Sequence, residues 1–189
     1  MKSDRYGQSE RLSPEQLTLL FNEGLLTPRD RALFGVCLYT ACRINEACTL
    51  LTADVMGLKG IRDKILIRSI NTKGKQDTRE IQIHPKLKGY LDAYQPDIKK
   101  EYLFPGRHGR GHIHKASADK ILRDACNRVG LEGVSTHSFR RTALTQMHNA
   151  GVPMRHIQSI SGHRTLAALA RYLDVTDEQK QSAIFSLTF

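Results

Sequence analysis

The sequence predicts a mainly α-helical domain with a small antiparallel β-sheet, an α+β fold, on three observations. Helix-start signals recur in the first and last thirds of the chain. Strand-like runs are confined to Lys64–Ile83. No Gly-, Pro- or Ser-rich linker interrupts the 189 residues. That length suits one domain with a sizeable core.

Residues 1–12 are mostly polar and read as a flexible N-terminal arm. The first helix starts at Ser13-Pro14-Glu15-Gln16. Ser13 is the N-cap, Pro14 the first helical residue, Gln16 closes a capping box, and Leu12 is placed to staple onto Leu17. Thr27-Pro28 repeats the logic for a helix to about Thr40. A short helix after Arg43 is expected to carry Ala47, Leu50 and Leu51. Lys64–Ile70 and Arg79–Ile83 are β-rich, and the polar turn Asn71–Asp77 makes them a hairpin with a basic tip. Pro85–Tyr94 is predicted helical, and a loop rich in Gly, Arg and His runs from Phe104 to His114. In the last third, Ser117 is expected to cap a helix to Gly130, and His137 to open one ending near Gly151. Pro153 starts another, ending at Gly162. Thr165 caps a helix through Leu173, and Thr176-Asp177-Glu178 a final one.

Composition narrows the function. Hydrophobic residues at 40% and charged residues at 25% exclude a wholly disordered chain. The longest apolar stretch, Ala32–Cys42, is far below the roughly 18–20 residues of a membrane span. No apolar segment follows Met1, so no signal peptide and no membrane partner are expected. Cys37, Cys42, Cys48 and Cys126 have no CxxC spacing and read as reduced, buried thiols of a cytoplasmic protein. The net charge of +10 points to a polyanion.

Several groups are candidates for chemistry on a phosphate. His137 and Arg140, three apart, share a helix face just past Ser135-Thr136, where free N–H groups add to an imidazole and a guanidinium. Arg43 and Glu46 are also three apart, either a surface ion pair or an Arg fork aimed by a carboxylate. Lys73 sits at the hairpin tip, where a lysine is either solvated or a general acid. His163 follows Gly162 in a turn. Tyr172, nine residues on, falls off the apolar stripe of Leu166, Leu169, Ala170 and Leu173. Tyr39 and Tyr102, by contrast, read as core. His108, His112 and His114, with Cys126 downstream, make a weak zinc set, and no metal is expected. That loop, with Arg107, Arg110 and Lys115, reads instead as phosphate-contacting.

The order Arg43, Lys73, His137-x-x-Arg140, Gly162-His163, Tyr172 resembles the tyrosine recombinase, or phage integrase, family over residues 13–176. Two local departures stand out. Ala41-Cys42 replace the family's usual Gly-Leu, and Arg141 its usual histidine. The resemblance implies that family's catalytic-domain fold and a site-specific recombinase that cuts and rejoins double-stranded DNA. Tyr172 would attack a phosphodiester to give a 3′-phosphotyrosyl link. Arg43 and Arg140 would clamp the phosphate, Lys73 would protonate the leaving 5′-oxygen, and His137 would move the tyrosine proton. His163 would donate a hydrogen bond to the phosphate, and Glu46 would support Arg43 or His137. No cofactor is required. Lys75, Arg107, Arg110, Lys115, Arg141 and Arg164 are the further expected DNA contacts.

Residues 177–189 are expected to form a tail helix docking on a neighbouring protomer, within a tetramer on paired DNA sites. Accessory DNA-bending proteins and a nucleoid location follow from the same resemblance. The family's N-terminal DNA-clamping domain has no counterpart in the twelve residues before the first helix. A non-catalytic DNA-binding regulator and a type IB topoisomerase-like nicking-resealing enzyme are the alternatives. An intact nucleophile argues against the first, and the apolar tail against the second.

Overall fold

The computed structural model describes residues 10–71, 78–173 and 177–187. Residues 10–12 of the expected arm are held against the domain. Glu10 N–H donates to the Gly133 carbonyl at 3.2 Å, Leu12 N–H donates to Thr142 Oγ1 at 2.9 Å, and Leu12 is buried.

Helix α1 (Pro14–Leu19) opens with the expected capping box. Ser13 Oγ accepts from Gln16 N–H at 3.2 Å, and Gln16 Oε1 accepts from Ser13 N–H at 2.8 Å. The helix continues into a π-helical turn, Leu20–Gly24. Helix α2 (Pro28–Tyr39), capped by Thr27, is buried from Ala32 to Leu38, as a helix apolar on every side must be. It packs against α4 (Pro85–Tyr94) and α6 (Thr136–Asn149). Gly35 permits the α4 contact, because a Cβ there would lie 3.0 Å from Tyr90 Cδ2 and 3.3 Å from Leu87 Cδ1. Phe34 stacks on Phe139 with centroids 5.3 Å apart. Phe21 meets Phe139 edge-on at 6.1 Å and stacks on Tyr90 at 5.1 Å. This aromatic block fixes α6 one residue from Arg140.

Helix α3 (Ile44–Cys48) is shorter than expected. Leu50 and Leu51 leave it for strand-like pairing with the 102–103 segment. The Leu50 carbonyl accepts from Leu103 N–H at 2.9 Å, and Leu51 bridges Tyr102. Strands β1 (Met56–Gly57) and β2 (Gly60–Ile61) form a ladder too short to show an alternating period. Strands β3 (Lys64–Ile67) and β4 (Arg79–Gln82) are the expected hairpin, with Ile65 opposite Ile81 and Ile67 opposite Arg79. Its tip, with Lys73 and Lys75, lies outside the described residues, as do Thr176 and Phe189.

Helix α5 (Lys115–Arg128) starts before Ser117, because His114 Nδ1 takes the cap by accepting from Ala116 N–H at 3.3 Å. Helix α7 (Met154–Ser161) ends on Gly162 in the left-handed region, and α8 (Leu166–Ala170) stops short of Leu173. Helix α9 (Asp177–Phe185) carries exposed Ile184 and Phe185. Among the described residues the fold is thus mainly helical with small antiparallel pairing, as two two-stranded ladders. Among the described residues no helix is long and apolar enough to cross a membrane.

Candidate active site

The site is assembled from four places far apart in the sequence. Arg43 is the N-cap of α3. Ahead of it, Ala41 adopts φ +50°. Glu46, in the first turn, is 1% exposed and reaches back. Its Oε2 accepts from Arg43 N–H at 3.0 Å and its Oε1 from Arg43 Nη1 at 3.1 Å. This is no surface ion pair. The carboxylate holds a half-buried arginine at a fixed angle. Burial works against the charge on Glu46, but Arg79, the Arg43 backbone N–H and the Arg43 guanidinium outweigh it, so its pKa stays below the usual range.

Arg140 is almost fully buried on α6. Its Nη1 donates to the Ala41 carbonyl, and its Nη2 lies 3.1 Å from His163 Nε2. Burial, then Arg43, lowers its pKa to about 10, so it stays charged at neutral pH. Its Nε is buried with no partner among the described residues. A buried cation with an unfilled donor suits an anion.

His163 is 8% exposed in the turn after Gly162. Burial, then Arg140, Arg43 and Arg79, lowers its pKa to about 4, so the ring is neutral at pH 7. Its tautomer follows from its neighbours. Ser161 O–H donates to the Gln158 carbonyl at 3.3 Å, leaving Oγ to accept from His163 Nδ1–H at 2.8 Å. Nε2 then accepts from Arg140. Tyr172 is half-buried, its ring 5.2 Å from that of His163. It lies past the end of α8 in a tightened turn, where its N–H donates to the Leu169 carbonyl at 2.9 Å.

The other expected residues divide. His137 is exposed in the first turn of α6, with its N–H donating to Ser135 Oγ at 3.2 Å. Partial desolvation, then Lys115, Arg140 and Arg43, pushes its pKa down. Arg107, Arg110 and Arg164 are exposed, and Arg141 is half-buried beside Arg140.

Sequence reasoning missed Arg79. It is 8% exposed on β4, and its Nη2 donates to Glu46 Oε2 at 2.7 Å. The signal was available. With Ile81 and Ile83 facing inward, strand alternation places Arg79 inward too. Tyr102 is a correction. It is half-buried in a loop and packs edge-on against His112 at 5.2 Å, because its segment pairs with Leu51. Among the described residues no group of three or more His, Cys, Asp or Glu side chains is placed to hold a metal ion. The four cysteines are buried and free. Burial raises Cys48 to about 12 and Cys126 to about 11, so both are thiols at neutral pH.

The Phage integrase family matches residues 10–179. A probable integrase/recombinase of Bacillus subtilis (strain 168), YoeC, is 30% identical over 82% of this chain and 82% of its own length. The crystal structure of XerA recombinase superimposes with a TM-score of 0.77 at 23% identity, over 95% of this chain and 66% of that one. The XerH site-specific recombinase bound to difH substrate gives 0.73 at 20% identity, over 94% and 55%. Other curated relatives are spanned for only 50–60% of their length.

Proposed function

The chain belongs to the phage integrase family, and from that premise we propose that it is the catalytic part of a site-specific recombinase that cuts and rejoins double-stranded DNA. The observation that carries this reading is the convergence of Arg43, Arg140, His163 and Tyr172 around a buried carboxylate, with the Arg140 Nε donor unfilled.

The chemistry runs as follows. The Tyr172 phenol oxygen attacks the scissile phosphorus while the P–O5′ bond breaks. The product is a 3′-phosphotyrosyl link and a free 5′-hydroxyl. An un-ionised phenol is a poor nucleophile, so its proton must leave, by way of His137. Charge building on the phosphate is met by Arg43 and Arg140. Lys73 gives a proton to the departing oxygen. His163 contributes a hydrogen bond to the phosphate in its other tautomer: as Arg140 turns from Nε2 to the incoming anion, the ring proton moves to Nε2, which donates to the phosphate, and Ser161 O–H donates to Nδ1. Attack by a new 5′-hydroxyl reverses the steps, so religation needs no external energy source.

Residues 13–176 form the catalytic unit in this reading, preceded by the arm. Exposed Ile184, Phe185 and Leu187 support docking of the tail on a second copy of the chain. The tetramer on paired sites, accessory DNA-bending proteins and action at the nucleoid belong to the same proposal.

The test uses a labelled, nicked duplex selected from a random-sequence pool by binding to this protein. Wild type is expected to form an SDS-resistant adduct that peptide mapping assigns to Tyr172. Tyr172→Phe removes one oxygen, so it should fold and bind DNA yet form no adduct. An adduct that persists in Tyr172→Phe would falsify the assignment.

A further inference from the structure

The proposed chemistry leaves Arg79 without a task, although its burial is costly. Two of the three guanidinium nitrogens are paired, and Nη1 is buried with no partner among the described residues. Each side of its fork meets a different part of the site. Nη2 donates to Glu46 Oε2 at 2.7 Å, and Nε donates to the Ile160 carbonyl in the last turn of α7 at 2.9 Å. Gly162 closes against the fork. A Cβ there would lie 2.9 Å from Nη1 and 3.1 Å from Cζ, and φ at Gly162 is +66°. The glycine therefore serves both the turn to His163 and the approach of Arg79. Residue 79 also opens β4, six residues after Lys73 in the sequence.

We propose that Arg79 is a positioning residue for strand cleavage. It locks the Glu46 carboxylate against Arg43 and the His163 turn against β4. The proposal rests on the reading of the site as a phosphotyrosyl-forming centre. Arg79 acts through Glu46. The carboxylate gives Oε1 to Arg43 Nη1, while Oε2 is shared by Arg79 Nη2 and Arg43 N–H. Without Arg79, a buried carboxylate loses a close cation and takes up a proton more readily. Protonation weakens its hold on Arg43. The charged and titratable groups facing Glu46 are Arg43 on α3, Arg79 on β4, Arg140 on α6, His163 after α7, and the Cys37 and Cys42 thiols at the end of α2.

The experiment follows single-turnover adduct formation by the full chain on the selected nicked duplex, across pH, for wild type, Arg79→Met, Arg79→Lys and Arg79→Met/Glu46→Gln. Arg79→Met is expected to slow adduct formation about 100-fold at pH 7, while its DNA Kd changes less than about threefold. Its rate should gain an acid limb, rising with pH by up to about tenfold per unit. Wild type shows only the acid limb of His137 as proton acceptor, and Glu46→Gln removes the added one again. Arg79→Lys keeps the charge but not the fork, so it should be slowed about tenfold without the limb. A change that merely loosens the fold has no reason to create a titration that depends on Glu46. If Arg79→Met lacks a cooperative melt, Arg79→Lys decides: a wild-type rate overturns the proposal. A folded Arg79→Met at the wild-type rate, or with a wild-type pH profile, also overturns it while the recombinase reading stands. Absence of any wild-type adduct overturns both.

Discussion

Two cationic regions lie along this chain, and burial separates them. Arg107, Arg110 and Lys115 are exposed on a loop and at the start of α5, where water screens each charge. Arg43, Arg79 and Arg140 crowd around one buried carboxylate, their forks fixed by Glu46 and the Ala41 and Ile160 carbonyls. The exposed charges act together as a field and are nearly interchangeable. The buried ones act singly through geometry. Their excess of positive charge over Glu46 leaves the pocket suited to an anion.

The largest expected effect tests that contrast directly. Arg140→Ala should slow adduct formation about 100- to 1,000-fold at saturating DNA, since it removes a fixed charge-assisted contact from the transition state. Arg107→Ala should change the same rate by less than about threefold. Single-turnover gels measure both. Equal losses would mean that burial does not separate the two regions.

The next effect is about 3 kcal/mol of folding stability from His163. Its pKa is near 4 in the fold, against about 6.5 in an unfolded chain. Below about pH 6.5 the unfolded chain takes up a proton that the folded ring refuses. Stability is therefore fully present above that pH and is lost as pH falls toward about 4. Urea denaturation across this window should show the loss, and His163→Gln should reduce it. An equal pH slope in the variant would assign the loss to other groups.

In the exposed region the effect is smaller and depends on salt. Arg107→Ala and Arg110→Ala should each reduce the slope of log K against log salt by about 0.9, from a wild-type slope near −5 for about six phosphate contacts. Filter binding over a salt series measures this. Unchanged slopes would remove the loop from the DNA-binding surface.

How much of this was legible beforehand depended on the range of the signal. Ser13-Pro14-Glu15-Gln16 and Thr27-Pro28 carry their caps locally, and both helices begin where those residues say. Arg43, His137-x-x-Arg140, Gly162-His163 and Tyr172 were legible as a set because their order and element types match a family. Leu50-Leu51 were misread because pairing with 102–103, far along the chain, overrides local helix preference. Ser117 lost its cap to His114, a residue type that seldom takes that role. Arg79 was passed over because surface charge is the usual reading of an arginine in a hairpin. Only alternation with Ile81 and Ile83 points it inward.

The smallest predicted effect concerns the residue that joins the two halves of the buried cluster. Ala41 sits at φ +50° and is 1% exposed, and its carbonyl accepts from Arg140 Nη1. An L-residue with a side chain pays about 1–2 kcal/mol for that left-handed conformation, whereas glycine does not. The backbone must adopt it for the chain to turn from α2 toward Arg43 while presenting this carbonyl to Arg140. The family's usual glycine at this place thus has a physical reason. Ala41→Gly relieves the strain but gives the unfolded chain more freedom, so the net gain should be about 0.5–1 kcal/mol. In a domain of this size that raises the melting temperature by roughly 1–4 °C. Adduct formation should change by less than about twofold, because the Arg140 contact is to backbone. Calorimetry and the gel assay check the two parts. A lower melting temperature would mean that the buried Ala41 methyl outweighs the strain of its backbone.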